Sequence, residues 1–427
     1  MNILVIGTGG REHTLVWKIS RSPKADKIYC PGGNAGISKL ADVSPVDSGE
    51  NFQGLIDFAR EKEIGLTVVG PEAPLAEGIV DAFEKAGLKI FGPSREGARI
   101  ESSKYFAKEI MLSSKVLTGS AQTFTDSAEA IKFLGTTNFP VVVKADGLAA
   151  GKGVIIVQNR DEAEESIRDI LDNKKFGGAG SRILIEEFLT GEEASLLAFT
   201  DGETVLSMVS AQDHKPVGEG DAGPNTGGMG AYSPAPVVTD ELYRKCVDEI
   251  LKPTVEELKK RGIKYKGVLY AGLMITEAGP KILEFNCRFG DPETQALLPR
   301  LKTDLVDVME AVAEERLSEI ELEWNPDPAV CVVMASGGYP GKYEKGKTIE
   351  GIKNAEEKAG CIVFHAGTRF EEDRIVTSGG RVLGVTALGK NLPEAIDKAY
   401  SGVKEIRFDD MYYRKDIAQK ALKRMKS

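Results

Sequence analysis

Over the first hundred residues, short apolar runs alternate with stretches of helical spacing. Ile3–Ile6, Lys27–Cys30, Leu66–Val69 and Lys89–Phe91 read as buried strands, with helices at Asn51–Lys62 and Pro74–Lys85 between them. Such alternation predicts βαβ units around a parallel sheet, whose strands are apolar throughout because helices cover both faces. From about 123 to 200 the rhythm becomes helix (Ser127–Leu134), strand (Pro140–Lys144), Gly-rich turn, strand (Val154–Val157), helix (Asp161–Leu171) and strand (Ile183–Glu187). That is a small α+β unit. A helix near 240–260 and strands Val268–Ile275 and Lys281–Asn286 resume a larger one. Trp324-Asn325-Pro326-Asp327-Pro328 reads as a linker, since two prolines block a continuing helix. Beyond it come strands Ala329–Met334, Cys361–His365 and Val382–Leu388 and a helix at Leu392–Ile406.

Length and composition bound what this pattern can be. A chain of 427 residues is too long for one core and suggests about three domains. The net charge of −10 disfavours a nucleic-acid binder, whose phosphate contacts need a basic face. The amino terminus has no basic segment before Ile3–Ile6, and no apolar run reaches the ~18 residues of a membrane span, so a cytoplasmic protein is expected. Five cysteines lie at least 30 residues apart with no CxxC pair, which predicts buried thiols and no metal or disulfide framework. Glycine stands out at 47 residues, an excess that points to tight turns or to backbone held close to ligands.

Five motifs carry candidate chemistry. The first strand runs into Gly7-Thr8-Gly9-Gly10-Arg11-Glu12-His13, where a helix start would present N–H groups and a dipole to an anion. A dinucleotide fingerprint would need glycine at position 12 and an acidic end to the second strand, where Glu12 and Cys30-Pro31-Gly32-Gly33 stand. A simpler phosphate ester suits this loop better; a turn holding no ligand is the even alternative, which Arg11 tips mildly toward phosphate. Asn34 is expected to face the same crevice, and His13 to bond locally. The second motif, Val141–Val154, places Lys144 on a strand before a glycine loop whose amides can close over a polyphosphate. It is not GxxxxGK[ST], and its bland alternative is an exposed hairpin. The third, Ile185–Glu193, is a strand and acidic hinge that would offer backbone to a base edge and a carboxylate to ribose, or else is a solvated turn. The fourth joins Gln212-Asp213-His214-Lys215 to Pro216–Gly230, fifteen residues with six glycines, in which Gly223–Gly230 is expected to be irregular and functional. In the fifth, Lys281–Glu293, strand alternation puts Glu284, Asn286 and Arg288 on one face and Leu283, Phe285 and Cys287 on the core face. Two hard oxygens suit Mg²⁺ completed by phosphates, and three polar groups on a buried strand need partners.

In this order and spacing, Gly7–Leu15 (GTGGREHTL), Lys144–Val154, Gln212–Lys215 with Gly223–Gly230, and Leu283–Glu293 resemble the ATP-grasp superfamily of carboxylate–amine ligases. Within it the chain resembles, end to end, the glycinamide ribonucleotide synthetase (phosphoribosylamine–glycine ligase) family. The resemblance implies an α/β and α+β multidomain fold. Its parts would be an N-terminal parallel-sheet (pre-ATP-grasp) substrate domain over 1–102, an ATP-grasp unit over 103–324 with a lid inserted at about 121–194, and a small mixed C-terminal domain over 325–427. It implies ATP-dependent ligation of glycine to 5-phosphoribosylamine through glycyl phosphate, giving glycinamide ribonucleotide, ADP and phosphate in purine biosynthesis.

The same resemblance implies roles at matching positions. Lys104 and Lys144 would hold the nucleotide phosphates, with Gly147, Gly151 and Gly153 in a mobile lid loop. Backbone around Glu186 and Leu189 would meet adenine, and Glu193 the ribose. Glu284 and Asn286 would ligate Mg²⁺ or Mn²⁺. Asp213, Lys215, Asn225 and Arg288 would lie near glycine and its activated form, and Gly9, Gly10 and Arg11 near the phosphoribosylamine phosphate. Many superfamily members carry another acidic ligand on the preceding strand; Leu269–Thr276 has none, and Glu277 lies just beyond it. The expected partners are small molecules only, with no nucleic acid and no membrane, on a monomer. Competing readings are a different purine-synthesis ATP-grasp ligase, an NAD(P) oxidoreductase, and a nucleotide-sensing module without turnover.

Overall fold

The computed structural model describes residues 1–149 and 153–425. Its first sheet is parallel, with strands β1 (Asn2–Ile6), β2 (Lys27–Tyr29), β3 (Ile64–Val69) and β4 (Ile90–Phe91) in the order β2-β1-β3-β4. Ile3, Leu4 and Val5 are all fully buried, as a strand covered on both faces requires. Helix α1 (Gly10–Ile19) leaves the end of β1. The helix expected over Pro74–Lys85 is two, Glu72–Glu77 and Ile79–Lys85, because Gly78 at φ +92° turns the chain between them.

A second, antiparallel sheet joins β5 (Ala121–Phe124), β6 (Val141–Ala145), β7 (Val154–Val157) and β8 (Ile183–Glu187) in the order β5-β8-β6-β7. Helices Ser127–Phe133 and Arg160–Leu171 start at caps, Asp126 accepting from Glu129 N–H and Asn159 from Glu162 N–H. Val141, Val143, Ala145, Ile167 and Ile170 form part of a core that these elements keep to themselves. This unit is therefore a small body with its own interior.

The third sheet is built on β9 (Glu192–Thr200), a long, almost wholly buried strand that begins at the end of the expected acidic hinge and runs on through a stretch for which no strand was expected. β10 (Val205–Ser207) pairs with it. The chain then forms β11 (Gln212–Asp213), a hairpin of β12 (Pro216–Gly218) with β13 (Ala222–Asn225), and β14 (Gly230–Ser233). The stretch expected to be irregular is thus partly strand: Gly220 and Gly223, at φ +68° and +83°, supply the turn conformations that permit the hairpin. The helix expected near 240–260 is continuous but widens to a π-turn at Val247–Leu251, just ahead of Pro253, which lacks a backbone donor.

β15 (Gly267–Thr276) pairs with β9 on one side and β16 (Gly279–Asn286) on the other. The remaining strands, β17 (Ala329–Ser336), β18 (Ile362–His365), a small hairpin of β19 (Thr368–Glu371) with β20 (Arg374–Thr377), β21 (Arg381–Leu388), and β22 (Met411–Tyr412), which pairs with β17, belong to the C-terminal part. There the order β11-β14-β17-β21-β18 threads two strands of the preceding segment into the C-terminal sheet. One large core accordingly runs from Leu4 through Leu269 and Phe285 to Val385 and Val403.

Candidate active site

β16 is where the alternation reading meets a correction. Gly272 faces Glu284 and Tyr270 faces Asn286, but the register slips between Gly272 and Leu273. Leu283 is bulged out, so Ile282 rather than Leu283 joins Phe285 and Cys287 in the core. The Leu283 carbonyl, freed from the ladder, accepts Lys144 Nζ at 3.0 Å. Glu284 and Asn286 keep the expected polar side, and a side chain at Gly272 would begin 3.3 Å from Glu284 Cγ.

On the lid side, Lys144 of β6 pairs with Glu186 Oε2 of β8 at 2.8 Å, while Lys108 reaches Glu186 Oε1 at 3.3 Å. All three side chains are buried. Glu186 thus points inward and sets two ammonium groups. Lys104, at the start of helix Lys104–Ser113, donates to the Gly147 carbonyl at 2.9 Å, tying the glycine loop to the helix below it. Burial pulls the Lys104 ammonium below the ordinary lysine range, against the attraction of Glu284. Gly147 (φ +157°) and Gly153 flank this loop; at Gly153 a Cβ would fall 2.7 Å from that of Ala149. Gly151 lies outside the described residues. Leu189 is buried beside the following turn.

β11 brings in the next group. Lys215 Nζ lies 2.7 Å from Glu193 Oε2, so this ammonium sits at the start of β9 rather than in open solvent. Burial lowers Lys215, but Glu193 and Asp213 outweigh it and hold the group charged. Burial pushes the Asp213 carboxyl up to about 8; Lys215 opposes, and Glu293 and Glu193 reinforce. His214 points away: its ring lies 5.8 Å from that of Tyr232 and stays neutral, burial having lowered it to about 4. Asn225 is exposed on β13 across from Pro216, and among the described residues no hydrogen bond joins its side chain to this group.

Four cations act on one carboxylate through space. Burial pushes Glu284 up, yet Lys215, Lys144, Lys104 and Arg288 together pull it below the ordinary carboxylate range. Arg288 is itself held on three sides: Glu101 at 2.9 Å, Glu72 at 3.3 Å and Asn286 Oδ1 at 3.0 Å. Glu101 also accepts the Cys287 N–H at 2.8 Å, which locks the strand end to helix Arg95–Ser102.

At the first glycine loop, Glu12 replaces the glycine of a dinucleotide fold for a structural reason. Its carboxylate accepts Gly9 N–H and Arg11 Nε, each at 2.6 Å. A Cβ at Gly7 would lie 2.6 Å from Glu12 Cγ, so the glycine there makes room for a buried carboxylate. Arg11 continues to the Phe289 carbonyl at 3.2 Å. Gly10 starts α1 over Asp291, whose Oδ1 would lie 3.8 Å from a Cβ placed there. Asn34 does not open onto a crevice: its amide donates to the Thr8 and His365 carbonyls, and its Oδ1 accepts Gly36 and Ile37 N–H. It pins the second loop to the first. His13 does not bond locally as expected: its Nδ1 accepts His365 N–H, 352 positions away, at 2.7 Å.

Several residues at this junction were not singled out from sequence. Glu293 accepts Tyr270 OH at 2.8 Å and Ser195 Oγ at 3.1 Å, and Asp291 pairs with Arg381 at 3.1 Å. Glu293 and Asp291 stood inside the fifth motif, but their partners come from distant strands. Glu277 sits in the exposed turn closing β15 and β16, past the level of Glu284. Among the described residues no group of three or more His, Cys, Asp or Glu could hold a metal ion. Glu284, kept ionised by its cations, and Asn286 offer two hard oxygens, which fits a Mg²⁺ or Mn²⁺ completed by water and phosphate, not a preformed cage. A cavity of about 730 Å³ lined by Arg99, Phe106 and Arg261 contains none of these side chains.

An antiparallel sheet bearing Glu284 and Asn286, roofed by a separate lid that delivers Lys144, defines an ATP-grasp protein. The family models agree, and the chain belongs to the phosphoribosylglycinamide synthetase family. The N domain model matches residues 1–101, the ATP-grasp (A) domain model 102–294 and the C domain model 329–420. A phosphoribosylamine–glycine ligase of Caldanaerobacter subterraneus subsp. tengcongensis is 53% identical over 418 residues, covering 98% of this chain and 99% of the relative. That of Escherichia coli K12 is 50% identical over 427 residues, covering 99% of each. The crystal structure of the Thermotoga maritima phosphoribosylamine–glycine ligase superposes with a TM-score of 0.85 at 30% identity, covering 98% of this chain and all of the other. The biotin carboxylase domain of Hydrogenobacter thermophilus 2-oxoglutarate carboxylase shares the fold, with a TM-score of 0.74 at 15% identity over 96% of this chain and 91% of the other.

Proposed function

We propose that this chain ligates glycine to 5-phosphoribosylamine at the expense of ATP, forming glycinamide ribonucleotide, ADP and phosphate in purine biosynthesis. The observation that carries this reading is that Lys144 reaches the Leu283 carbonyl and Arg288 the Asn286 Oδ1, each at 3.0 Å, so that the two cations flank Glu284 on its strand. The glycine carboxylate attacks the γ-phosphorus and ADP leaves, giving glycyl phosphate. The phosphoribosylamine nitrogen then attacks the acyl carbon and inorganic phosphate departs. The first step drives an anion against a polyphosphate, so charge neutralisation and alignment dominate and no protein nucleophile is needed.

In this reading Lys104 and Lys144 take the phosphates under the Gly147–Gly153 loop, and backbone near Glu186 and Leu189 takes adenine. The inward turn of Glu186 supports a second role for it, orienting Lys144 and Lys108. Glu193 takes the ribose; Asp213, Lys215, Asn225 and Arg288 take glycine and its phosphate ester; Gly9, Gly10 and Arg11 take the acceptor's phosphate, with Asn34 bracing their loop. Glu284 and Asn286 would hold Mg²⁺ or Mn²⁺, which neutralises phosphate oxygens when bound. Functionally we divide the chain at 1–102, 103–324 with a lid at about 121–194, and 325–427. No described helix is long and apolar enough to cross a membrane, and a cytoplasmic monomer acting on small molecules is the reading we adopt. A coupled ADP-release assay tests the reaction: release should require both glycine and freshly made phosphoribosylamine. Release independent of glycine would refute it.

A further inference from the structure

Arg381 opens β21 in the C-terminal part of the chain, yet its guanidinium lies between two segments of the ATP-grasp unit. One Nη donates to the Gly227 carbonyl, to the Asp291 carbonyl at 3.0 Å and to the Gly228 carbonyl at 3.5 Å. The other meets Asp291 Oδ2 at 3.1 Å. The loop lies flat on this fork: a Cβ at Gly227 would begin 2.9 Å from Arg381 Cζ, and one at Gly228 (φ +106°) would begin 2.3 Å from Pro292 Cδ. Both glycines are therefore dictated by the sandwich between Arg381 and Pro292. Tyr339 OH adds a second C-terminal contact by accepting Gly227 N–H at 3.1 Å.

The clasp faces the start of α1. Asp291 carries its oxygens to 3.9 and 3.8 Å from where side chains at Gly9 and Gly10 would begin, and Gln295 Nε2 holds Asp291 Oδ1 at 2.8 Å. Gln295 is buried, and among the described residues its Oε1 has no hydrogen-bond partner. Burial pushes the Asp291 carboxyl up, but Arg381 first, then Arg11, bring it below the ordinary range, so it meets the helix start as an anion.

Resting on the ligase reading above, we infer that Arg381 is a positioning residue for the amine acceptor. It sets Asp291 and the Thr226–Gly230 loop against the start of α1, so the C-terminal part of the chain shapes the acceptor half of the site. A planar fork satisfying three carbonyls and a carboxylate has no equivalent in lysine, which offers a single point charge.

The test compares steady-state constants of wild type, R381K, R381A and Y339F, each substrate varied in turn, with ADP and ligated product measured together. R381A should lower kcat/KM for phosphoribosylamine by about 100-fold, the scale of a displaced reacting group, and leave KM for ATP within about twofold. ADP should then outrun product, because glycyl phosphate hydrolyses before capture. R381K should be intermediate, and Y339F should shift the acceptor constant a few fold, about one hydrogen bond's worth, in the same direction. Unchanged acceptor constants and an ADP-to-product ratio of one in R381A would overturn the inference. If R381A does not fold, unchanged constants in both R381K and Y339F do so. A wild type that turns over no glycine and acceptor would instead overturn the ligase reading itself.

Discussion

The two halves of the site hold their cations differently. At the lid seam, Lys144 of the lid and Lys108 of the helix beneath it share the single carboxylate of Glu186, and Lys104 of that helix rests on a lid carbonyl. On the acceptor side, Arg11, Arg288 and Arg381 are each locked to carboxylates, drawn from Glu12, Glu72, Glu101 and Asp291. Lysine is a flexible point charge that can follow a lid and a polyphosphate as they move. Arginine's fork is fixed once its carboxylates are placed. The lid also keeps a core of its own, whereas the acceptor side is stitched into the cores of the rest of the molecule. The contrast sets a lysine-lined seam, shared between the lid and the helix Lys104–Ser113 of the main body, against an arginine-lined half with fixed carboxylate partners.

Breaking the arginine-lined half should have the largest effect. Arg288→Ala leaves Glu101 and Glu72 facing each other without their cation, in a region where the Glu101 side chain is only 9% exposed. Loss of one member of such a pair costs about 3–5 kcal/mol, which urea denaturation will read. kcat should also fall far more than ATP affinity changes, and unaltered turnover would remove Arg288 from the chemistry. Lys144→Met should be next, lowering kcat about 10²–10³-fold, the cost of one preorganised donor at a developing charge. A loss confined to protein stability would place Lys144 in the scaffold alone.

Asp213 offers a smaller, pH-resolved effect. Its folded pKa of about 8 lies above the unfolded value of 3.8, so the native state binds the extra proton. That contribution to stability is full below pH 3.8 and is lost as pH rises through about 8. Asp213→Asn removes the ionisation, so the variant's Tm should gain on wild type steadily across that window. A difference that does not change with pH would contradict the assignment. The smallest effect belongs to the lid: Asp126→Ala deletes a helix cap and should cost about 1 kcal/mol. Hydrogen exchange should show the loss in 121–187 and leave the acceptor half protected; uniform loss would mean that the lid is not a separate body.

Local pattern carried a good deal of this molecule. Apolar runs located the N-terminal strands, and alternation set Glu284, Asn286 and Arg288 along one side of a strand. It failed where geometry departs from the regular period: the bulge at Leu283 cannot be seen in a string of apolar letters, and Gly78 breaks a helix whose pattern continues through it. Pattern also misread side chains whose partners are remote. Asn34 looked like a residue facing a crevice, but its amide is taken up by backbone, one partner being His365, 331 positions away. Glu186 sat in an apparent hinge and turned out to anchor two lysines from separate elements.

The alternating sheets and helices, the polar side of β16 and the glycine loops were legible in the chain, because each depends on neighbours within a few positions. Its motifs, in order, also sufficed to suggest the family. Which charges meet was settled by folding. Glu101 and Glu72 reach Arg288 across 187 and 216 positions, and Arg381 reaches Asp291 across 90. Lysines and arginines in a chain of net charge −10 each take a carboxylate of their own around the polar side of β16 because buried charges must find partners, and the fold alone brings those partners within reach.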